Sequence, residues 1–213
     1  MTKPFLHTAN YLTFFIVAGF TLSTTAFGLI DGTLEVGKRN AKWAQDTDTS
    51  NISSQVARAA LHLDPIPLVP IGFGLGVYSE TWSVSKEDQG LSSLSSYSLV
   101  PEIVAWIPLG DFRPSARVGY SIGTVYAGKA SLPSATGVNT GAMALVGTGL
   151  HAAIGMEWNL PIVPLLSLLA HYEYAMENVK LAKDKVGDQD ISASYKPVKL
   201  TSSAVLIGVK LGI

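Results

Sequence analysis

The strongest regularity along the chain has a period of two. From Pro114 to Gly128 one parity reads Ala116, Val118, Tyr120, Ile122, Thr124 and Tyr126, and the other reads Ser115, Arg117, Gly119, Ser121 and Gly123. Further on, Leu150, Ala152, Ile154, Met156, Trp158 and Leu160 alternate with His151, Ala153, Gly155, Glu157 and Asn159. Leu168, Ala170, Tyr172, Tyr174 and Met176 alternate with Ser167, Leu169, His171, Glu173 and Glu177. At the end of the chain Val205, Ile207, Val209, Leu211 and Ile213 alternate with Ala204, Gly208, Lys210 and Gly212. Successive side chains of a strand point to opposite faces, so each run predicts a strand with one apolar face and one face of small or charged residues. Alternation sustained over ten or more residues is the pattern of a barrel strand crossing a bilayer.

Shorter runs complete the set. Residues 30–36, 57–63 and 71–77 keep the alternation, with Asp31, Thr33 and Glu35, then Arg58, Ala60 and His62, then Gly72, Gly74 and Gly76 on the less apolar parity. Across 97–108 both parities are apolar apart from Glu102, and Pro101 interrupts the ladder, so this strand is the least regular. The count is eight, an even number that can close, and closure removes the edges that lipid could not satisfy. The connections 64–70, 108–114 and 161–164 are short and carry proline, whereas 44–54, 84–95, 129–146 and 181–197 are longer and polar. A barrel with short periplasmic turns and longer external loops has this asymmetry, and both ends of the mature chain then lie in the periplasm. Trp43, Trp82, Trp106 and Trp158 fall near strand ends, where an aromatic girdle would stand.

Composition narrows the class. Of 213 residues 15% are charged and 47% apolar, and the formal net charge is −1, so there is no basic footprint for nucleic acid. Mean hydropathy is +0.30. The absence of cysteine excludes disulfides, thiolate metal sites and cysteine catalysis. Lys3, the apolar run Tyr11–Leu22 and the small residues Ser23–Ala26 have the layout of a secretory signal peptide, expected to occupy residues 1–28 and be removed. No later apolar run approaches the roughly 20 residues of a membrane helix. A soluble lipocalin-like barrel would put its apolar parity inside; here large apolar residues share one parity while the other is glycine-rich with isolated charges, which favours an apolar exterior. The expected fold class is therefore all-β: a closed antiparallel eight-stranded transmembrane β-barrel over residues 29–213, preceded by a cleaved signal peptide.

A signal peptide, eight alternating strands and roughly 185 mature residues resemble the small outer-membrane β-barrel proteins of the OmpA/OmpX type. The resemblance implies a monomer in the outer membrane of a Gram-negative bacterial cell envelope, in contact with outer-membrane lipids. Many members end in an aromatic residue; this chain ends Lys210-Leu211-Gly212-Ile213.

The candidate chemistry lies on the inward parity. Glu35, Arg58, His62, Glu102, Arg117, His151, Glu157, His171, Glu173 and Lys210 are expected to form a lumen charge network. Counting outward from the turn near 162 sets His151 opposite Glu173 within one inward rung; the same counting sets Glu35 near His62 and Arg117 within a rung or two of Glu102. No tight His-x₃-His pair occurs, so no metal site is assigned. Outer-membrane lipid A deacylases use Ser with His and Glu, but the residues two after His151 and His171 are Ala153 and Glu173, so no serine stands where one is expected and no catalytic residue or cofactor is assigned. Gly72-Phe73-Gly74-Leu75-Gly76 precedes no helix and reads as small inward residues rather than a phosphate loop. Lys180, Lys183, Lys185, Lys196 and Lys199 cluster around the fourth external loop, where lipopolysaccharide phosphates are a candidate partner. The function expected is structural or surface-interacting, with a narrow channel for small hydrophobic solutes and a lipid-modifying outer-membrane enzyme as alternatives. An eight-stranded interior is just wide enough for side chains, which disfavours a porin-like diffusion pore.

Overall fold

A computed structural model describes residues 30–45, 48–64, 70–83, 91–134, 137–163, 165–181, 185–186, 189–190 and 197–212. The signal segment expected at 1–28 lies outside the described residues. The strands are β1 (Ile30–Gln45), β2 (Asp48–Leu63), β3 (Ile71–Ser83), β4 (Leu91–Trp106), β5 (Phe112–Ser134), β6 (Gly137–Asn159), β7 (Leu166–Leu181), β8 (Lys185–Val186), β9 (Gln189–Asp190) and β10 (Val198–Gly212). β1 to β7 and β10 form a closed antiparallel barrel in which β10 pairs with β1, while β8 and β9 make a separate two-stranded ribbon. Both ends of the barrel chain lie at the end that carries the short turns.

The strands run further than the alternation alone suggested. Residues 48–54, 91–95 and 129–134 with 137–146 are ladder, not loop, and β5 and β6 stay paired as far as Ser134 and Gly137. Serine, threonine and asparagine weaken the apolar alternation without removing any backbone donor, so a polar stretch can continue a ladder wherever water replaces lipid outside.

The pairing fixes the stagger of the barrel. Stepping through the partners Ala41, Ser202, Ala175, His151, Gly119, Glu102, Gly74 and His62 returns to β1 at Asp31, ten residues (41 − 31) from the start. Eight strands with this shear must tilt strongly from the barrel axis. Two irregularities interrupt the ladder: a register shift between β4 and β5 at Leu91/Ser93, and an extra residue in β5 at Ile122–Gly123, seen as a shift against both β4 and β6. Both bulge residues are exposed, and beyond them the parity flips, so Thr124 and Tyr126 point inward. Their expected place on the outward parity is thereby corrected. Pro101, with no N–H to donate, sits in the gap that the bulge opens between β4 and β5.

The barrel changes polarity along its length. In the half near the short turns the exterior is apolar, with Leu34, Val36, Leu61, Phe73, Ile103, Val118, Ile154, Val205 and Ile207 exposed, while charged residues fill the interior. Towards the long hairpins β10, β1, β2 and β3 turn Lys199, Lys42, Asn40, Asn51, Gln55 and Thr81 outward. There the interior becomes a dry cluster that includes Trp43, Trp82, Tyr126, Leu145, Val179, Val198 and Leu200. On β5 and β6 the outward apolar positions continue higher, through Val125 and Val146. This corrects the aromatic girdle. Trp43 and Trp82 are 3% and 5% exposed inside the barrel, and Trp106 lies under the Lys210 ammonium, 5.7 Å from its ring. Trp158 alone of the four faces outward, stacked on Phe112 at the short-turn end with ring centroids 6.0 Å apart.

Candidate functional site

The candidate site is the lumen itself. Among the described residues, seven carboxylates (Asp31, Glu35, Glu80, Glu102, Glu157, Glu173 and Glu177) face three arginines, Lys210 and three histidines. Alternation aims all of them inward. The extent of the strands then brings in Arg39, Glu80 and Tyr78, which lie one to three residues beyond the run ends at Val36 and Val77. Continuing the parity from Glu35 to Arg39 and from Gly76 to Glu80 would have found them; the outward residues there are polar, which hid the pattern.

The charges stack in tiers. Nearest the short turns, Lys210 Nζ lies 2.9 Å from Asp31 and 3.2 Å from Glu157. His62 bridges Asp31 at 2.9 Å and Glu102 at 2.7 Å. In the middle tier Glu35 meets Arg58 at 3.1 Å, Arg117 at 3.0 Å and His171 at 3.1 Å, and Arg58 also reaches Glu102. Glu173 accepts from Arg39 at 2.7 Å, Arg117 at 2.8 Å and the Tyr78 hydroxyl at 2.7 Å, with His151 Nδ1 at 3.3 Å. The Tyr78 ring lies between the guanidinium groups of Arg39 and Arg58, 5.9 and 5.5 Å from its centroid. In the upper tier Arg39 Nε is 3.0 Å from Glu80. Glu177 accepts from Thr124 at 2.9 Å and from the Tyr126 hydroxyl, and lies 3.1 Å from His151 Nε2. The aromatic and aliphatic cluster caps this tier.

The register makes one correction. Glu35 stands opposite Arg58 and His62 opposite Asp31, because β1 and β2 pair up to Gln45 and Asp48 and the centre of the hairpin lies lower in sequence than a loop at 44–54 implies. Arg117 is opposite Val104, one inward rung from Glu102, yet its guanidinium turns to Glu35 and Glu173 instead. His151 stands opposite Ala175, one inward rung from Glu173, and reaches it.

Room for these side chains comes from glycine. Gly208 is opposite Glu35, Gly74 opposite both His62 and Glu102, Gly155 opposite His171 and Gly149 opposite Glu177. A Cβ at Gly208 would fall 2.0 Å from the Leu34 carbonyl oxygen and 2.8 Å from Glu35 Cγ. The run Gly72–Gly76 thus serves as lumen volume.

His62 and His151 each face a carboxylate from both ring nitrogens, an arrangement that only the doubly protonated imidazolium satisfies with two N–H donors. His171 differs: Nδ1 is 3.1 Å from Glu35, and Nε2 is 3.1 Å from Ser115 Oγ on β5. A serine therefore does stand beside a histidine, supplied by the neighbouring barrel wall rather than by local sequence. The cavity it borders has a volume of about 30 Å³, the space of a water. Among the described residues no group of three or more histidine and carboxylate side chains could hold a metal ion.

No protein-family model and no curated protein sequence matches the chain. Solved structures do. Neisserial surface protein A superposes with a TM-score of 0.51 at 14% identity, covering 85% of this chain and 97% of that one. The outer membrane protein OprG from Pseudomonas aeruginosa gives 0.46 at 10%, covering 87% and 97%. Ail, the attachment invasion locus protein of Yersinia pestis, gives 0.44 at 14%, covering 85% and 98%. The first of these likenesses shows a shared fold, the small eight-stranded outer-membrane barrel.

Proposed function

We propose that the chain is an outer-membrane barrel plugged by its own side chains, with a structural or surface-interaction role. The observation that carries this reading is the combination of an apolar belt around the short-turn half with an interior that the described side chains fill from the Lys210 tier up to the Trp43 cluster. Glu173, Leu145, Val179 and Leu206 are fully buried at different heights in the lumen. A barrel whose charges neutralise one another and whose upper section is dry offers no ion a continuous wet path.

Two measurements test the reading. Protein from outer-membrane fractions should migrate differently on a denaturing gel before and after heating, as a closed barrel resists detergent until heated. In planar bilayers it should give no stable single-channel conductance; regular conductance steps would favour the narrow-channel alternative instead.

The contact between Ser115 and His171 supports a second reading, a serine hydrolase at the short-turn mouth with Glu35 orienting the base. The cavity volume weighs against it, since an acyl chain needs far more room than one water. A fluorophosphonate probe should leave the folded barrel unlabelled. Labelling that disappears in Ser115→Ala, with the heat shift intact, would favour the enzyme.

A further inference from the structure

We infer that the outer face of β10, β1 and β2, just above the apolar belt, binds the phosphorylated sugar headgroup of lipopolysaccharide. The inference rests on the outer-membrane reading, which makes the long-hairpin end the external one. Lys38, Lys42 and Lys199 all point outward there and are exposed. Lys42 is opposite Thr201, two residues from Lys199 on the same face, a diagonal separation of about 7–8 Å. Lys38 lies four residues down the strand, about 13 Å away. Among the described residues no ion-pair partner stands beside any of the three, and Asp31 and Glu35 of β1 both face the lumen.

The surface beside the lysines is shaped for more than a point charge. An open concavity of about 870 Å³ is lined by Asn40, Lys42, Asn51, Ser53, Tyr174 and Thr201 among others. Amides, hydroxyls and a tyrosine ring are groups that take a sugar, by hydrogen bonds and by stacking. Immediately below, Val36, Val205 and Ile207 are 58–60% exposed and offer an apolar wall. Acyl chains against that wall, sugar in the concavity and phosphate on the lysines is the vertical order of an acylated, phosphorylated glycolipid. A glycerophospholipid would use the lysines and the wall but leave the amide and hydroxyl surface without a partner. This places the contact on the barrel wall itself, on Lys38 and Lys42, in addition to the loop lysines marked in the sequence.

The test uses the full chain extracted in zwitterionic detergent, with three probes: lipopolysaccharide, the same material with its phosphates removed, and phosphatidylglycerol vesicles. Wild-type protein should bind lipopolysaccharide in a salt-sensitive manner and both other probes more weakly. The triple variant Lys38→Gln, Lys42→Gln, Lys199→Gln should lose at least about tenfold in affinity, since each lysine near an anionic surface contributes measurably. The corresponding triple arginine variant should retain binding. Equal affinity for wild type and the glutamine variant, or for intact and dephosphorylated material, would overturn the proposal. Equal binding to phosphatidylglycerol vesicles would overturn the glycolipid as its occupant. A heat shift on gels that persists in every variant separates these failures from a failure of the barrel reading, which would abolish the shift in wild type too.

Discussion

Glu173 is the residue on which the lumen converges, taking Arg39, Arg117, Tyr78 and His151 while fully buried. Removing one partner from such a cluster strands the others without compensation, which typically costs about 3–5 kcal/mol. Arg117 supplies the sharper test, since it contacts Glu173 and Glu35 but only neighbours Glu102. In double-mutant cycles on unfolding free energy, Arg117→Ala with Glu173→Ala should show coupling of roughly 1–3 kcal/mol, and Arg117→Ala with Glu102→Ala, linked through Glu35 and Arg58, a smaller coupling. The reverse ranking would mean that the guanidinium is directed to Glu102 in the membrane.

At the scale of the strand, the consequential feature is the one-residue bulge in β5. It turns Tyr126 inward onto Glu177 and beneath Trp82, with ring centroids 6.4 Å apart, so the upper cluster depends on it. Spin labels at Ile122 and Gly123 should both report lipid or detergent contact, and a label at Thr124 should be shielded. Strict alternation through all three sites would place the bulge elsewhere. Most strands were legible in the sequence, because a buried charge on one face and lipid on the other leave a strong period-two signal. The bulge was not, since Ile122, Gly123 and Thr124 have no residue whose backbone demands an irregularity. The extra residue shows only in the pairing, as the register shift of β5 against both β4 and β6.

For the molecule as a whole, the change of polarity along the barrel sets its depth in the bilayer. Ile154, 66% exposed, lies within the apolar belt, whereas Ser203 lies above the point where β10 turns polar. Ile154→Arg should destabilise the folded barrel by roughly 2–4 kcal/mol near mid-membrane, and Ser203→Arg by about 0–1 kcal/mol, measured by reversible unfolding in bilayers. Similar costs at both positions would place Ser203 in hydrocarbon and extend the belt upward. The same boundary explains the dry upper interior: once outside lipid, a barrel wall facing water needs an apolar core like any soluble sheet.

The sequence by itself determined the barrel's strand count, the inward and outward parity of most strands and the identity of the charged residues that fill the short-turn half of the lumen. These depend on local alternation, which each strand carries independently of its partners. Which charges meet was decided only by the tertiary structure. Hairpin extent moved His62 from Glu35 to Asp31, closure of β10 on β1 brought Arg39 of β1 to Glu173 of β7, and the registers of β5 and β7 on β6 set Ser115 beside His171 across Gly155. Such contacts join strands far apart in the chain, and a shift of two residues in one hairpin preserves every parity while changing every partner. The tryptophans obey the same logic: their positions near strand ends were legible, but whether Trp43 and Trp82 faced lipid or lumen depended on where the barrel leaves the membrane.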